Sequence, residues 1–318
     1  MKERYEEITT IVVLLIPLSF VVWGGYLQQV TGYMYLFLLQ GYVAWFLLFR
    51  SGQFFFGYSV TMAMGAYGTI VLTEIYKWPL LGSITVGCGM ATLISVGIFF
   101  GTCRARGFYV GMTSFLLALL FPLVVEGTRD ISGGRSGIYF TGTDSLVKPD
   151  VLYLLIVFFT ALIVAGLFVF MRTKTGNILT LISENDELTQ NVGINTMKYK
   201  ALAYAIAGFL SGLGGALYVM YNGFISSIDV EAFTTLYIYF IPLLGGRRIS
   251  YGPLIGALIV ILGPEFLLSI ERYLRIIMGM VFILVIVFLP EGLGHGMETL
   301  VKKIISRFRV APATALEN

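Results

Sequence analysis

The sequence predicts an all-α bundle of about ten membrane-spanning helices, and three observations predict it. Hydrophobic residues make up 57% of the chain and charged residues 12%, against about 25% charged in a soluble domain; the mean hydropathy is +0.86. Apolar runs near the length of about 20 residues that a helix needs to cross hydrocarbon recur along the chain. Most of the 21 basic and 18 acidic residues collect between those runs.

Breaking the runs at charges, glycine and proline gives ten candidate spans, roughly 8–26, 30–49, 53–75, 78–101, 107–127, 151–171, 201–222, 232–246, 252–270 and 274–290. The first has no Ala-x-Ala cleavage site and many runs follow it, so it reads as a spanning helix and not a cleaved signal. The third is rich in glycine and polar for its kind, which predicts a bent or broken helix. Such backbone is tolerated only against protein or a cavity. The eighth is short, contains Pro242 and ends in Gly245-Gly246. Small residues four apart, as at Gly97/Gly101, Gly107/Gly111, Gly208/Gly212 and Gly252/Gly256, predict close helix packing. The whole chain, 1–318, reads as one transmembrane domain.

Ten spans put both termini on one side, and positive charge decides which. With the N-terminus in the cytoplasm, the inner segments hold Lys2, Arg4, Arg50, Arg104, Arg106, Arg172, Lys174, Lys198, Lys200, Arg247, Arg248, Lys302, Lys303, Arg307 and Arg309. The outer segments hold Lys77, Arg129, Arg135, Lys148, Arg272 and Arg275. Fifteen against six places the long polar segment 172–200 inside and the loop 128–150 outside. The basic tail Lys302–Arg309, interleaved with Ile and Phe, suits contact with anionic lipid.

The segment 172–200 interrupts the apolar pattern more than any other. Leu181, Leu188 and Val192 recur at helical spacing, and Ser183 with Asp186 fits a capping box, Ser/Thr-x-x-Asp/Glu. Gly193 is placed to end that helix and Asn195 to cap the next. The residues alone leave two readings open, a docking surface and an ordinary solvated loop.

Several chemistries lack their motifs. No G-x-x-x-x-G-K-[ST] is present, nor H-E-x-x-H, nor a G-x-S-x-G elbow. Cys88 and Cys103 suggest neither a disulfide framework nor a zinc site, and His295 is the single histidine. Glu74, Glu126 and Glu265 sit near predicted helix ends, so no charge stands clearly at mid-bilayer, where an ion-coupled carrier usually keeps one.

Four stretches together carry a resemblance. Gly52-Gln53, Gly57 and Gly65-Ala66-Tyr67 form the first, and Arg106-Gly107 through Tyr109 to Ser132-Gly133-Gly134 and Gly137 the second. The third begins at Glu184-Asn185-Asp186-Glu187-Leu188 and runs through Gly193 to the Gly- and Ala-rich span after Lys200. The fourth is Leu243-Leu244-Gly245-Gly246-Arg247-Arg248-Ile249-Ser250-Tyr251-Gly252-Pro253, with the ending Phe288-Leu289-Pro290-Glu291-Gly292. In this combination and order, from about residue 45 to 295, the chain resembles the inner-membrane permeases of ATP-binding-cassette (ABC) importers for branched-chain amino acids, of the LivM type. It departs from the family pattern at Phe55, where Ser is usual, and at Tyr58, where His is usual. Further departures are Ser183 in place of an Arg, and Arg135-Ser136 in place of Ser-Asp.

The resemblance implies a fold of the ABC importer permease type and a transport subunit that is not itself an enzyme. It implies a pathway shared with a second permease chain, two cytoplasmic ATPase subunits that bind the ATP, and an external substrate-binding protein. No cofactor or metal is expected on this chain, and no nucleic acid partner. Carried over by position, Glu184, Asn185, Leu188 and Gly193 form the ATPase-docking helix. Gln53, Gly57 and Tyr58 are pathway candidates; a helix-capping or inter-helix hydrogen bond for Gln53 and packing for Gly57 are the plain alternatives. Arg135, Asp144, Asp229 and Glu231 are candidate contacts for the binding protein, with a solvated loop as the plain alternative. The cargo reads as branched-chain or related amino acids. The alternatives are an importer for urea, short amides or another small polar solute, and an ion-coupled carrier or channel.

Overall fold

A computed structural model describes residue 10, residues 25–103, 108–141, 149–246 and 251–266, and isolated positions between 276 and 287. The span expected at 8–26 therefore lies almost wholly outside the described residues, and the one at 274–290 is described only at isolated positions. Asp144, Arg247, Arg248, His295 and the basic tail lie outside the described residues.

The helices follow the apolar runs. Helix α1 (Tyr26–Trp45) continues through a π-helical turn, Phe46–Arg50. Then come α2 (Tyr58–Glu74), α3 (Leu80–Thr102), α4 (Phe108–Gly127) and α5 (Pro149–Met171). Two short helices follow, α6 (Lys174–Glu184) and α7 (Asp186–Asn191). The chain returns through α8 (Thr196–Asn222), α9 (Ala232–Gly245) and α10 (Gly252–Ala257), the last running into a π-helical turn at Leu258–Leu262. Five of these helices are long and apolar enough to cross a membrane, and Ala232–Gly245 and Gly252–Leu262 are shorter apolar helices.

Two expectations need correction. The span placed at 53–75 is helical only from Tyr58, because Ser51–Gly57 is non-helical backbone folded against the bundle. The span placed at 201–222 begins five residues earlier, at Thr196, since Asn195 accepts a hydrogen bond from the Lys198 N–H (3.3 Å) and caps the helix there.

Helix α1 is the axis. Tyr35, Leu38, Leu39, Tyr42, Val43, Trp45 and Phe46 are fully buried on it, against α5, α8 and α9. Beside it α2, α3 and α8 form a tight triplet built on missing side chains. A Cβ on Gly65 would overlap the Gly212 carbonyl, one on Gly215 the Met62 carbonyl, and one on Gly208 would sit 3.0 Å from the Ala91 carbonyl. Polar bonds cross the same seams, Thr61 and Ser211 sharing a hydroxyl bond (2.8 Å) and Ser95 donating to the Tyr204 carbonyl (2.7 Å), and Gln40 Nε2 of α1 donates to the Ser211 carbonyl of α8 (3.0 Å). Bonds of this kind contribute about 0.6 kcal/mol each in a membrane bundle. Gly97 and Gly101, expected in a packing stripe, have no neighbour within 4 Å of a built Cβ.

At one end of the bundle, strand β1 (Ile138–Tyr139) pairs antiparallel with β2 (Phe224–Ile225), and Glu74 accepts from the Thr141 N–H and hydroxyl, both at 2.7 Å. At the other end, segment 51–57 meets α6 and α7.

Candidate functional site

The polar segment is two helices and not one, because its hydrogen bonds set a break at Asn185. Thr173 accepts from the Gly176 N–H (3.3 Å) and starts α6. At Asn185 the backbone turns extended (φ −157, ψ 103), and its Oδ1 accepts from the Leu188 N–H (3.0 Å), starting α7. The cap expected at Ser183 is thus two residues too early: the Ser183 hydroxyl donates back to the Thr180 carbonyl (2.7 Å). Gly193 takes a left-handed φ of +87 after α7, which lets the chain turn directly into α8.

The segment is anchored on one side and bare on the other. Leu179, Ile182 and Thr189 are buried, and Lys200 Nζ of α8 donates to Asp186 Oδ2 of α7 at 2.6 Å. Burial pushes the Asp186 carboxyl upward, but the Lys200 hydrogen bond and charge, together with hydrogen bonds from Thr196 and Gln190, outweigh it and hold the group below its ordinary range. Leu181, Leu188 and Val192 are 51%, 61% and 79% exposed, and Glu184 lies exposed beside them. Three large apolar side chains thus stand exposed on an otherwise polar segment, an arrangement often found at interaction surfaces.

A cavity of about 520 Å³ lies between this segment and the bundle. Gly52, Gln53 and Phe54 line it from the non-helical stretch, Phe99, Thr102 and Cys103 from the end of α3, and Ser183, Glu184, Asp186, Glu187, Gln190 and Lys200 from the polar side. The structure thus joins Gln53 and the 184–190 segment around one space. Gly57 and Tyr58 do not line it. Tyr58 is fully buried, and a Cβ on Gly57 would strike the Phe55 ring. Gln53 donates from Nε2 to the Ser51 carbonyl (3.1 Å).

The described outer candidates sit on adjoining turns, where the Ser227 N–H donates to the Gly134 carbonyl (3.2 Å). Arg135 Nε pairs with Glu126 Oε1 (3.3 Å), which also accepts from the Ser227 hydroxyl (3.2 Å). Asp229 organises its own turn, accepting from the Ser226 N–H and hydroxyl (both 2.8 Å) and from the Tyr218 hydroxyl (3.1 Å). Glu231 stands at the start of α9 with no side-chain capping bond. Two features escaped sequence reasoning. Lys200, read only as a positive charge, ties α7 to α8. Gly52, at φ +67, lies so close to α6 that a Cβ would come within 2.8 Å of Ser183 Cα. The Gly-Gln pair was the available signal for the second.

Residues 11–286 match the family described as the permease component of branched-chain amino acid transport systems. The chain belongs to this permease family. Among curated relatives, the permease is 26% identical over 221 residues to the fructose import permease protein FrcC of Rhizobium meliloti, covering 64% of this chain and 61% of that one. It is 30% identical over 134 residues to the ribose import permease protein RbsC of Haemophilus influenzae (40% and 42%). It is 24% identical over 208 residues to the probable branched-chain amino acid transport permease protein LivM of Methanocaldococcus jannaschii (58% and 59%). The permease therefore spans less than two thirds of the length of each of these relatives. No solved structure matches. With its spanning helices, the family makes this a membrane protein.

Proposed function

We propose that this permease is the transmembrane subunit of an ABC importer for a small polar solute, driven by ATPase subunits that dock on Glu184, Asn185, Leu188 and Gly193. The observation that carries the reading is the union of the exposed 181–192 patch with α8. The patch is held to α8 by the Asp186–Lys200 pair, and α8 is packed along α2 and α3 through glycine contacts. A push on the patch therefore reaches the middle of the bundle as a rigid-body movement. Gly52 passes the same movement to segment 51–57. The segment faces the cytoplasm and both termini lie there, by the charge asymmetry. A second permease chain completes the pathway, and an external binding protein delivers the solute to the opposite end, where Arg135 and Glu231 offer charge.

The family description supports branched-chain amino acids as the first cargo to test; the names of the two sugar permeases support a neutral sugar as the second. The test is ATP-dependent uptake of labelled leucine by the reconstituted assembly, wild type against Glu184→Lys and Gly193→Trp. Uptake abolished by both substitutions, with the assembly still folded, is the expected result. Uptake that survives ATP depletion and follows an ion gradient would instead mark a carrier. Normal uptake in both variants would remove the docking face from 184–193.

A further inference from the structure

Helix α1 does not end as an α-helix ends. Through Phe46–Arg50 its turn is π-helical, one residue wider than an α-helical turn. The Ser51 N–H accordingly returns to the Phe46 carbonyl (3.1 Å), five residues back, and not to Leu47, four back. The Leu47 carbonyl is taken instead by the Ser51 hydroxyl (2.8 Å) and the Gln53 N–H (2.9 Å). Gly52 turns left-handed at φ +67. After such a glycine the next N–H normally reaches back five residues, but that of Gln53 reaches back six. Side chains repeat the count. Five positions apart on an α-helix point about 140° away from each other, yet the Arg50 guanidinium lies over the Trp45 ring, 5.1 Å from its centroid. The chain thus holds one residue in excess between the body of α1 and the wall of the cavity.

That residue is held where the polar segment meets the bundle. The π-helical turn packs on α6 and α8. Gly52 abuts α6, where its Cβ would come within 2.8 Å of Ser183 Cα, and Gly52, Gln53 and Phe54 line the cavity. Ser51 is fully buried, so water does not compete for its hydroxyl bond. A displaced α6 must carry Gly52 with it, and the end of α1 has one residue to give. Rewound as an α-helix, the turn hands the Leu47 carbonyl from the Ser51 hydroxyl to the Ser51 N–H. The chain beyond it then rotates by about 100° around the α1 axis, the step of one residue. Each place in the cavity wall passes to the residue before it, so that Gln53 takes the place of Phe54 and Phe54 that of Phe55.

We propose that the end of α1 is a two-register switch, latched by the Ser51 hydroxyl, through which movement of α6 turns the cavity wall Gly52–Phe54. The proposal rests on the reading of the chain as an import permease, in which the polar segment receives the push of an ATPase. Both registers give the Leu47 carbonyl a donor, so neither leaves that buried acceptor unmet. Gly52 lets the chain leave α1 from either, because glycine takes both hands of backbone at little cost. The two registers therefore differ by a latch and not by a broken helix. A packed element with two discrete arrangements turns a small push into a full step.

The test is maleimide labelling of Gln53→Cys, Phe54→Cys and Phe55→Cys, one at a time in a Cys103→Ser background, on the purified full chain and on the reconstituted assembly. With Ser51 in place, position 54 should label and position 55 stay protected, since Phe54 is 37% exposed and Phe55 1%. Ser51→Ala should move labelling from 54 towards 53, lowering the ratio of the two rates about fivefold, the worth of one buried hydrogen bond. It should melt close to wild type, because the α-helical register pairs the Leu47 carbonyl again. Ser51→Thr keeps the hydroxyl and should keep the wild-type ratio. In the assembly, ATP bound without hydrolysis should lower the wild-type ratio in the same direction. Several results would each overturn the switch. They are an unchanged ratio in Ser51→Ala, faster labelling at all three positions alike (a loosened loop), a Ser51→Ala melt well below wild type, Ser51→Thr behaving as Ser51→Ala, or a ratio unmoved by ATP in an assembly whose uptake requires it. The importer reading is judged separately, by whether uptake in the wild-type assembly requires ATP; if it does not, the labelling of the purified chain still decides the latch.

Discussion

Asp186 shows how one residue ties two elements together. Its carboxylate takes the Lys200 ammonium at 2.6 Å, and Lys200 is the more buried partner, with 19% of its side chain exposed against 37% for Asp186. Solvent screens such a pair, so its worth is about 0.5–1 kcal/mol. The Asp186 pKa is lowered on folding, so the contribution is complete above the unfolded carboxylate value of about 4. It is lost as pH falls through the lower folded value. Lys200→Met should therefore lower the melting midpoint modestly at neutral pH, and the difference from wild type should shrink in acid below pH of about 4. A difference that persists there would mean that Lys200 acts through packing. Gly193 makes a second residue-scale case: at φ +87, Gly193→Ala should cost about 1 kcal/mol through backbone strain. No atom lies within 4 Å of a built Cβ there, so limited proteolysis near α7 should report that change more clearly than the global melt.

Between elements, the packing of α2, α3 and α8 sets what each glycine is for. Gly215→Ala would drive a methyl into the Met62 carbonyl, which is backbone and cannot swing aside, and overpacking of this kind costs about 1–3 kcal/mol. Gly97→Ala meets open space and should leave the melting midpoint unchanged or slightly raised, since alanine favours the helix. A detergent melt in which the two behave alike would refute the triplet. The same pair shows how far the sequence could be read. Small residues four apart mark a stripe but not its partner, so Gly97/Gly101 and Gly208/Gly212 looked equivalent, and only the latter faces a helix. Apolar length found α1, α3, α4, α5 and α8 within a few residues. It failed at 51–57, where three phenylalanines gave the hydropathy of a helix to a stretch whose backbone is not helical, although the glycine and polar residues of the same run had marked that helix as bent or broken. Asn195 was legible as a cap because asparagine before a helix has few other uses. Asn185 was hidden because Ser183 offered a rival cap two residues earlier.

At the scale of the whole molecule, the alternation of helices fixes which segments share an end, and charge must say which end is inside. Segment 51–57, the end of α3 and the 174–200 segment surround one cavity. The turn carrying Arg135 and the β1–β2 pair lie at the opposite end. On the proposed orientation, the basic residues 172, 174, 198 and 200 place the cavity end in the cytoplasm. Native thiols give a first check. Cys88 is buried, whereas Cys103 is half-buried and lines the cavity, so a membrane-impermeant maleimide should label Cys103 from the cytoplasmic side and leave Cys88 intact. In a Cys103→Ser background, Glu184→Cys should then react only from the cytoplasm and Arg135→Cys only from outside. The reverse pattern would turn the bundle over. It would place the 181–192 patch where no cytoplasmic ATPase can reach it, so this labelling tests the docking face without requiring any knowledge of the cargo.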